Sequence, residues 1–217
     1  MAAPATAHRP LFPPEHPNSP SRALLVPQPA VSTALYDQLG GGGETHYYRL
    51  GPVPGRRLHV ELLVPDTPQQ RSFRPQAVVL GPGLPRPPAR PRYWVPQGGG
   101  AQPLMVSPPR RFYEPFTQTA YLVLASQDLH LPAAGPYWLA VHAPGRAGKY
   151  VLVVGRQERF GALDLLAFPV WWLQVRLFVY PAFTTVAILL AAALLAVLLA
   201  WLLARWRRKR RQRPGAS

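Results

Sequence analysis

A long segment without charge near the C-terminus constrains the fold of this chain more than any other feature. No residue between Leu177 and Ala204 is charged, and residues 183–204 include twelve Leu, Ile, Val or Phe. As a helix with a rise of 1.5 Å per residue, residues 183–204 span roughly 33 Å, which matches a hydrocarbon core of about 30 Å. Each such apolar residue favours insertion by roughly 0.3 to 0.6 kcal/mol in mid-membrane. The sequence therefore predicts one transmembrane helix over residues 177–204.

Aromatic residues flank this segment at both ends. Trp and Tyr favour the headgroup level because their rings have an apolar body and one polar group. Tyr180 and Trp201 are 21 positions apart, and this spacing gives roughly 32 Å of helix, enough to reach both interfaces. We therefore expect five membrane-interface residues, namely Trp171, Trp172, Tyr180, Trp201 and Trp206.

The basic residues around the segment predict its orientation. Seven of the 24 basic residues follow the segment, whereas only Arg176 lies close before it. The positive-inside rule then places the C-terminus in the cytoplasm and residues 1–175 outside. A plain stop-transfer anchor explains this tail, and a lipid-specific or partner-docking tail is the alternative. In either case contact with anionic lipids is expected for Arg205, Arg207, Arg208, Lys209, Arg210, Arg211 and Arg213.

An outward-facing domain requires export, yet the first 20 residues contain no apolar run of the ~7–15 residues found in a signal peptide. Three explanations remain open. The true start lies upstream, the C-terminal helix pulls the domain across, or the protein is tail-anchored with its domain inside. We expect the first, because the third puts seven positive charges on the wrong side.

Short segments between residues 31 and 156 alternate apolar and polar residues with period two, which is typical of half-buried β-strands. In residues 57–65, Leu58, Val60, Leu62 and Val64 share one face. The same alternation marks residues 137–142 and 150–154, and the five-residue loop at 144–148 has the length of a hairpin connection. Turns rich in Gly and Pro separate these segments. We predict an all-β domain, a β-sandwich, at residues 31–156.

The remaining parts of the chain are assigned from composition. The 29 prolines are far above the usual share of about 5% and cluster near the N-terminus and in mid-chain. We predict a disordered Pro-rich segment at 1–30, a Pro-rich loop at 81–117, an amphipathic juxtamembrane segment at 157–176 that lies on the outer leaflet, the transmembrane helix at 177–204 and a basic tail at 205–217. Within the juxtamembrane segment, Pro169 is expected to break or bend the helix.

Two stretches of the domain, residues 43–65 and 131–155, resemble the bacterial pre-peptidase C-terminal domain. The resemblance covers roughly half of residues 44–155 and is carried by Tyr47-Tyr48-Arg49, Pro54-Gly55, Ala134-Gly135-Pro136-Tyr137-Trp138 and Gly148-Lys149-Tyr150. It implies a jelly-roll-like sandwich in a bacterial protein, with an accessory role in secretion, substrate binding or surface binding. The chain departs from the family in lacking a protease domain and in having QAVVLGPGLP where the family has an Asp-rich strand, so no calcium site is expected.

The sequence predicts no enzyme and no cofactor. The chain has no cysteine, which excludes disulfides, thiolate metal sites and cysteine nucleophiles. No nucleophile elbow, H-E-x-x-H motif or Walker loop occurs. Asp128, His130 and His142 could share a metal, although solvated loop residues are the simpler interpretation. His46 and His59 are expected on the outer faces of strands.

A candidate binding edge is formed by Arg110, Arg111, Phe112 and Tyr113, the densest mixture of basic and aromatic residues in the domain. Aromatic residues and arginine are favoured at protein interfaces. The alternative is that the aromatic residues cover one end of the sandwich. Pro85–Tyr93 is either a polyproline II ligand or an extended rigid loop.

These features predict a membrane-anchored extracytoplasmic β-sandwich that acts as a non-catalytic binding or accessory module. Its expected partners are the lipid bilayer and a protein or surface polymer. The net charge of +15 is spread without a zinc knuckle or an RNA-binding aromatic motif, so nucleic acid is not expected. The alternative function is an accessory subunit of a membrane complex, whose helix packs against partner helices through small residues.

Overall fold

A computed structural model describes residues 8–87, 89–159 and 161–211. Within them, eleven strands and two short 3₁₀ helices, at Pro20–Arg22 and Pro54–Arg56, precede two α-helices. The elements are β1 (Arg9–Leu11), β2 (Leu24–Val26), β3 (Thr33–Leu39), β4 (Thr45–Leu50), β5 (Arg57–Pro65), β6 (Gln76–Gly81), β7 (Gly100–Pro103), β8 (Arg110–Glu114), β9 (Thr119–His130), β10 (Tyr137–His142), β11 (Gly148–Val154), α1 (Ala162–Val179) and α2 (Ala182–Arg211).

The strands form two sheets that enclose a common core. Sheet 1 has the order β1-β3-β11-β5-β9-β8, and sheet 2 has the order β2-β4-β10-β6-β7. The edge strands β1 and β2 run parallel to β3 and β4, and the other pairs are antiparallel. The prediction of a mostly β domain followed by one apolar helix is confirmed.

Residues from both sheets share the core, because alternate side chains of each strand point toward the opposite sheet. Leu58, Val60, Leu62 and Val64 of β5 are buried in it, as the alternation predicts. The register between β5 and β9 shifts at Leu62/Leu63, where a bulge interrupts the pairing. We refer to residues 8–159 as the two-sheet domain.

The expected hairpin at residues 144–148 is wrong. β10 pairs with β4 and β6 in sheet 2, whereas β11 pairs with β3 and β5 in sheet 1. The loop therefore crosses from one sheet to the other at the end of the core. A Cβ atom at Gly148 would lie 2.5 Å from the ring of Phe73, so this crossing requires glycine. A short loop alone does not determine whether its two strands pair.

The expectation of disorder at residues 1–30 is corrected for the part that the structure describes. Residues 9–11 and 24–26 add an edge strand to each sheet, and Pro17 and Val26 are buried. Proline is tolerated on edge strands because one side of such a strand needs no ladder hydrogen bond. High proline content therefore did not prevent this segment from joining the sheets.

The expected loop at 81–117 contains two strands, β7 and β8. The residues before β7 lie on the outer face of sheet 2, where Tyr93 is buried and packs with Tyr47 and Trp138. The Trp94 backbone N–H donates a hydrogen bond of 2.8 Å to the Tyr47 hydroxyl. These contacts favour an extended rigid loop over a free polyproline II ligand.

The transmembrane helix was predicted to start at residue 177, which is too early, and the predicted break of the juxtamembrane helix at Pro169 is wrong. α1 continues without interruption through Pro169 to Val179, and Pro181 separates it from α2. Val175 and Val179 of α1 are buried against the outer face of sheet 1. The juxtamembrane segment is thus a helix packed on the two-sheet domain.

α2 is long and apolar enough to cross a membrane. The apolar stretch Ala182–Arg207 comprises 26 residues, and none of its most apolar window is buried against the rest of the protein. Thr185 near the start of α2 is buried, whereas the side chains of the most apolar window face solvent, lipid or a partner.

Candidate functional site

The predicted binding edge lies on β8, the edge strand of sheet 1 that pairs with β9. Arg110 and Arg111 are exposed, and 58% of Tyr113 is accessible. Edge strands present backbone N–H and C=O groups that an added strand can pair with. The structure thus places the residues of the binding edge in one row at an open margin of the sheet.

Arg111 is held in place by a buried carboxylate. Its Nε donates a hydrogen bond of 2.5 Å to one oxygen of Asp66, and Arg71 Nε donates one of 2.7 Å to the other. The Asp66 side chain is almost fully buried. Arg71 and then Arg111 hold the pKa of Asp66 below its ordinary value. Arg110 forms no ion pair within the described part of the chain, so it is the freer cation.

The two aromatic residues of the edge have different roles. Phe112 is half-buried and packs against the cluster that α1 forms with sheet 1. Tyr113 points away, and the neighbouring Phe116 is 50% exposed. Phe112 therefore packs within the protein and has a structural role. Tyr113 and Phe116 remain accessible to a partner.

A cavity of about 350 Å³ lies between this edge and α1. Its apolar walls include Phe116, Phe168 and Trp171, and its acidic residues are Glu114, Glu158 and Asp164. Asp164 forms an ion pair of 2.7 Å with Arg9. The predicted interface residue Trp171 thus lines a cavity at the edge of the domain.

Arg176 fixes the end of α1 to the two-sheet domain. Its buried guanidinium donates hydrogen bonds of 3.1 Å to the carbonyl oxygens of Thr117 and Gln118. It also lies 5.3 Å from the ring centre of Trp172 and 5.2 Å from that of Tyr180. The sequence indicated Arg176 only as a charge that flanks the membrane segment, but in the structure it bonds α1 to the two-sheet domain.

Tyr180 also attaches the end of α1 to the two-sheet domain, and we call the contacts of Arg176 and Tyr180 the joint. Its hydroxyl accepts a hydrogen bond of 3.2 Å from the Ala120 backbone N–H. Pro181 follows and α2 begins at Ala182. The headgroup position of Tyr180 and Trp172 stays a prediction, but the contacts of Tyr180 and Arg176 with the domain show that the start of α2 is held close to sheet 1.

The far end of α2 carries the other predicted interface residues. Trp201 and Trp206 are about half exposed, and the Arg205 guanidinium lies 5.3 Å from the Trp201 ring centre. Arg207 is exposed. The helix extends to Arg211, but the structure describes no side chain beyond Arg207, and Arg213 lies outside the described residues.

The structure does not bring Asp128, His130 and His142 together. Asp128 forms ion pairs with Arg156 at 2.9 Å and with His59 at 3.0 Å. His130 is exposed on β9, whereas His142 is buried in sheet 2 with its ring 5.5 Å from that of Tyr93. The hypothesis of a metal site at these three residues is therefore wrong. His59 faces outward from β5, as predicted, although it is covered.

The expected outer position of His46 is also wrong, because its side chain is fully buried in the core. Its Nδ1 lies 2.8 Å from Asp37 Oδ2, and its Nε2 faces Glu44 Oε1 at 3.1 Å without hydrogen-bond alignment. On the other side of Asp37, His16 Nδ1 lies 2.7 Å from Oδ1. We call His16, Asp37, Glu44 and His46 the polar centre.

Two buried tyrosines complete the hydrogen bonding of the polar centre. Tyr48 donates to Asp37 Oδ2 at 3.1 Å, and its oxygen lies 2.6 Å from the Tyr150 oxygen. The Tyr150 hydroxyl lies 2.9 Å from His46 Nδ1. The Gln38 backbone N–H donates to Asp37 Oδ1 at 2.7 Å. Asp37 thus accepts from every side, as a buried carboxylate must.

Burial and neighbouring charge determine the protonation of the polar centre. Burial opposes the ionised form of Asp37, but hydrogen bonds from His46, Gln38 and His16 outweigh it and lower the pKa of Asp37. Burial also opposes the charged form of His46, but Asp37 and Glu44 outweigh it and raise the pKa of His46. The two form a charge-assisted pair.

Sequence reasoning missed the polar centre. Its members come from the segment before β2, from β3, from the end of the loop between β3 and β4, and from the start of β4, so no local motif unites them. One signal was available, since His46 has the same alternation as Tyr48 and Leu50 and must share their face. Both of those residues are in the core.

Comparison with known proteins identifies no family for this chain. No protein-family model matches it, and no curated protein matches it in sequence.

Proposed function

We propose that this protein is a membrane-anchored, extracytoplasmic binding module without catalytic activity. In this proposal α2 spans the membrane, the residues after it are cytoplasmic, and the two-sheet domain presents the β8 edge to a protein or surface polymer. The observation that carries the proposal is the joint between α1 and α2. Arg176 and Tyr180 tie the end of α1 to the domain directly before the apolar helix begins.

The joint supports a module that is held close to the membrane. A flexible linker would let the domain sample a large volume, whereas a short, bonded connection keeps it at the surface. Concentration of the domain near membrane-associated partners raises their effective concentration without new contacts. This rise in effective concentration matters most for a module that contacts its partner through few residues and therefore binds it weakly in solution.

We further propose a jelly-roll-like sandwich, the fold implied by the resemblance to pre-peptidase C-terminal domains. The order of eight strands supports it, because they divide into β3-β11-β5-β9 and β4-β10-β6-β7. A jelly roll has eight strands in two sheets with Greek-key connections. Gly135, with a φ of 150°, precedes β10 in the segment that carries the resemblance.

The β8 edge favours an extended partner with acidic groups. An added strand would pair with the open backbone of β8 and place side chains near Arg110 and Tyr113. Arg110 supplies a free cation and Tyr113 a large exposed surface at low entropic cost. Exposed pairs of this kind each contribute little, so the expected affinity is modest and depends on the membrane anchor.

Loss of binding at the β8 edge tests this proposal. We expect that Arg110→Glu combined with Tyr113→Ala lowers the recovery of crosslinked partners by at least about fivefold, since an interface residue that anchors a partner contributes more than about 1 kcal/mol. The measurement is quantitative crosslinking in intact cells, followed by purification of the full-length protein in detergent. A matched control is Arg90→Glu combined with Leu25→Ala, two exposed positions outside sheet 1. Equal recovery with both double variants would contradict a binding role for β8.

A second function, an accessory subunit of a membrane complex, is favoured by the outer face of α1. Leu165 and Leu166 are more than three-quarters exposed, and Val170 is 57% exposed. A helix that is apolar on its packed face and on its outer face needs an apolar neighbour. Stoichiometric co-purification of membrane proteins in mild detergent would support this function, whereas substoichiometric crosslinked partners would support the binding module.

A further inference from the structure

Three side chains with metal-ligating atoms converge where the N-terminal segment crosses the two-sheet domain. His16, Asp37 and His46 each offer one ligand atom, and these atoms lie within 4.8 Å of one another. Asp37 comes from sheet 1 and His46 from sheet 2, and His16 belongs to the segment between β1 and β2. Three distant parts of the chain therefore supply one cluster.

We propose that His16, Asp37 and His46 bind a divalent transition-metal ion, with Zn²⁺ as the first candidate. Two imidazole nitrogens and one carboxylate oxygen form a ligand set suited to zinc and other ions of this class. Asp37 and His46 are buried, whereas the His16 side chain is 60% exposed. A water molecule can therefore reach the fourth coordination position from the side of His16.

Glu44 has the position of a supporting carboxylate. It lies 3.1 Å from Nε2 of His46, the ring nitrogen that faces away from Asp37. A metal-ligating histidine usually gives its second N–H to a carboxylate, which fixes the ring and makes the ligating nitrogen more basic. The other oxygen of Glu44 accepts a hydrogen bond from the Gly40 backbone N–H. A plain buried ion pair between Asp37 and His46 does not require this second carboxylate.

The ligand atoms need only a small movement to accept an ion. His16 Nδ1 and His46 Nδ1 lie 2.7 and 2.8 Å from the oxygens of Asp37, which are hydrogen-bond distances. Ligands bound at about 2.0 Å around a tetrahedral zinc ion lie about 3.3 Å apart. The three ligand atoms lie within 4.8 Å of one another, so the nitrogen–oxygen pairs must open by about half an ångström while the His16 nitrogen, on an exposed segment, adjusts toward the shared position. The ion then ties this segment to both sheets.

Zinc binding to the full-length protein tests the proposal. We expect the detergent-solubilised protein, first stripped with EDTA, to bind one Zn²⁺ per chain by calorimetry. Its thermal midpoint should rise by roughly 5–10 °C at 100-fold excess of ZnCl₂ over the dissociation constant. His16→Gln should weaken binding at least tenfold, and Glu44→Gln by roughly 10- to 100-fold.

The control variant is His130→Gln, which removes another exposed histidine and should leave zinc affinity unchanged. Since His16 is exposed, His16→Gln is expected to fold, and circular dichroism checks this. Absence of zinc binding to the unaltered protein would overturn the proposal. Unchanged affinity of a folded His16→Gln variant, or loss of binding in His130→Gln, would place the ion elsewhere and would overturn it as well.

Discussion

Arginine in place of both Leu194 and Leu195 is expected to release the protein from the membrane. Each leucine favours insertion by roughly 0.3 to 0.6 kcal/mol, and an arginine near mid-membrane opposes it by roughly 2.5 to 3.5 kcal/mol. The double change therefore costs about 6 to 8 kcal/mol, comparable to the 4 to 7 kcal/mol that the apolar residues of α2 contribute. Both leucines are more than half exposed and lie far along α2, so the two-sheet domain should keep its fold.

Alkaline carbonate extraction of cell membranes measures this effect. We expect the unaltered protein in the pellet and most of the double arginine variant in the supernatant. The matched control is Leu194→Val combined with Leu195→Val, which keeps both positions apolar and should stay in the pellet. Retention of the arginine variant in the pellet would show that α2 is not the anchor.

Asp37→Ala should cause the largest loss of stability among single changes in the polar centre. It removes the acceptor for the Tyr48 hydroxyl, the Gln38 N–H and both histidines. Loss of one partner from a buried charged network typically costs about 3 to 5 kcal/mol, because the remaining groups stay buried without compensation. For a domain of this size the thermal midpoint should fall by roughly 10 °C or more.

The measurements are thermal and urea unfolding of the detergent-solubilised protein in the presence of EDTA, which separates this effect from metal binding. Asp128→Ala is the matched control, since the Asp128 side chain is 65% exposed and pairs with the exposed Arg156, while its second partner, His59, still has Glu61 at 3.3 Å. Such a surface pair contributes about 0 to 1 kcal/mol. Similar losses from the two substitutions would mean that the polar centre does not stabilise the core.

Sequence patterns predicted the parts of the fold that depend on local periodicity. The uncharged stretch predicted α2, although the helix starts at Ala182 because Pro181 separates it from α1. Alternation predicted which face of β5 is buried. In both cases each residue's environment follows from its neighbours in the chain.

Features that depend on distant contacts were not predictable in this way. β8 was hidden in an expected loop because RRFYE has no apolar alternation, and it becomes a strand only by pairing with β9. β1 and β2 exist because β3 and β4 offer free edges. The apparent hairpin at residues 144–148 connects different sheets, since the partners of each strand come from elsewhere in the chain.

The candidate sites also differ in whether they depend on local sequence or on contacts between distant residues. The sequence indicated a candidate binding edge because its four residues are contiguous, and a binding role for them stays a prediction. The ion pair that fixes Arg111 to Asp66 was not predicted. The polar centre was missed because His16, Asp37 and His46 meet only after the two sheets have formed. A cluster of oppositely charged residues in a core can be recognised as a site only when the strand order that brings them together is known.

Cysteine accessibility in intact cells tests most directly whether α2 places the two-sheet domain outside and the basic tail inside. The chain has no cysteine, so Arg90→Cys and Ala216→Cys each give one reactive thiol. A membrane-impermeant maleimide should label the cysteine at position 90 in intact cells, and the cysteine at position 216 only after permeabilisation. Labelling of position 216 in intact cells, with position 90 protected, would contradict the proposed topology.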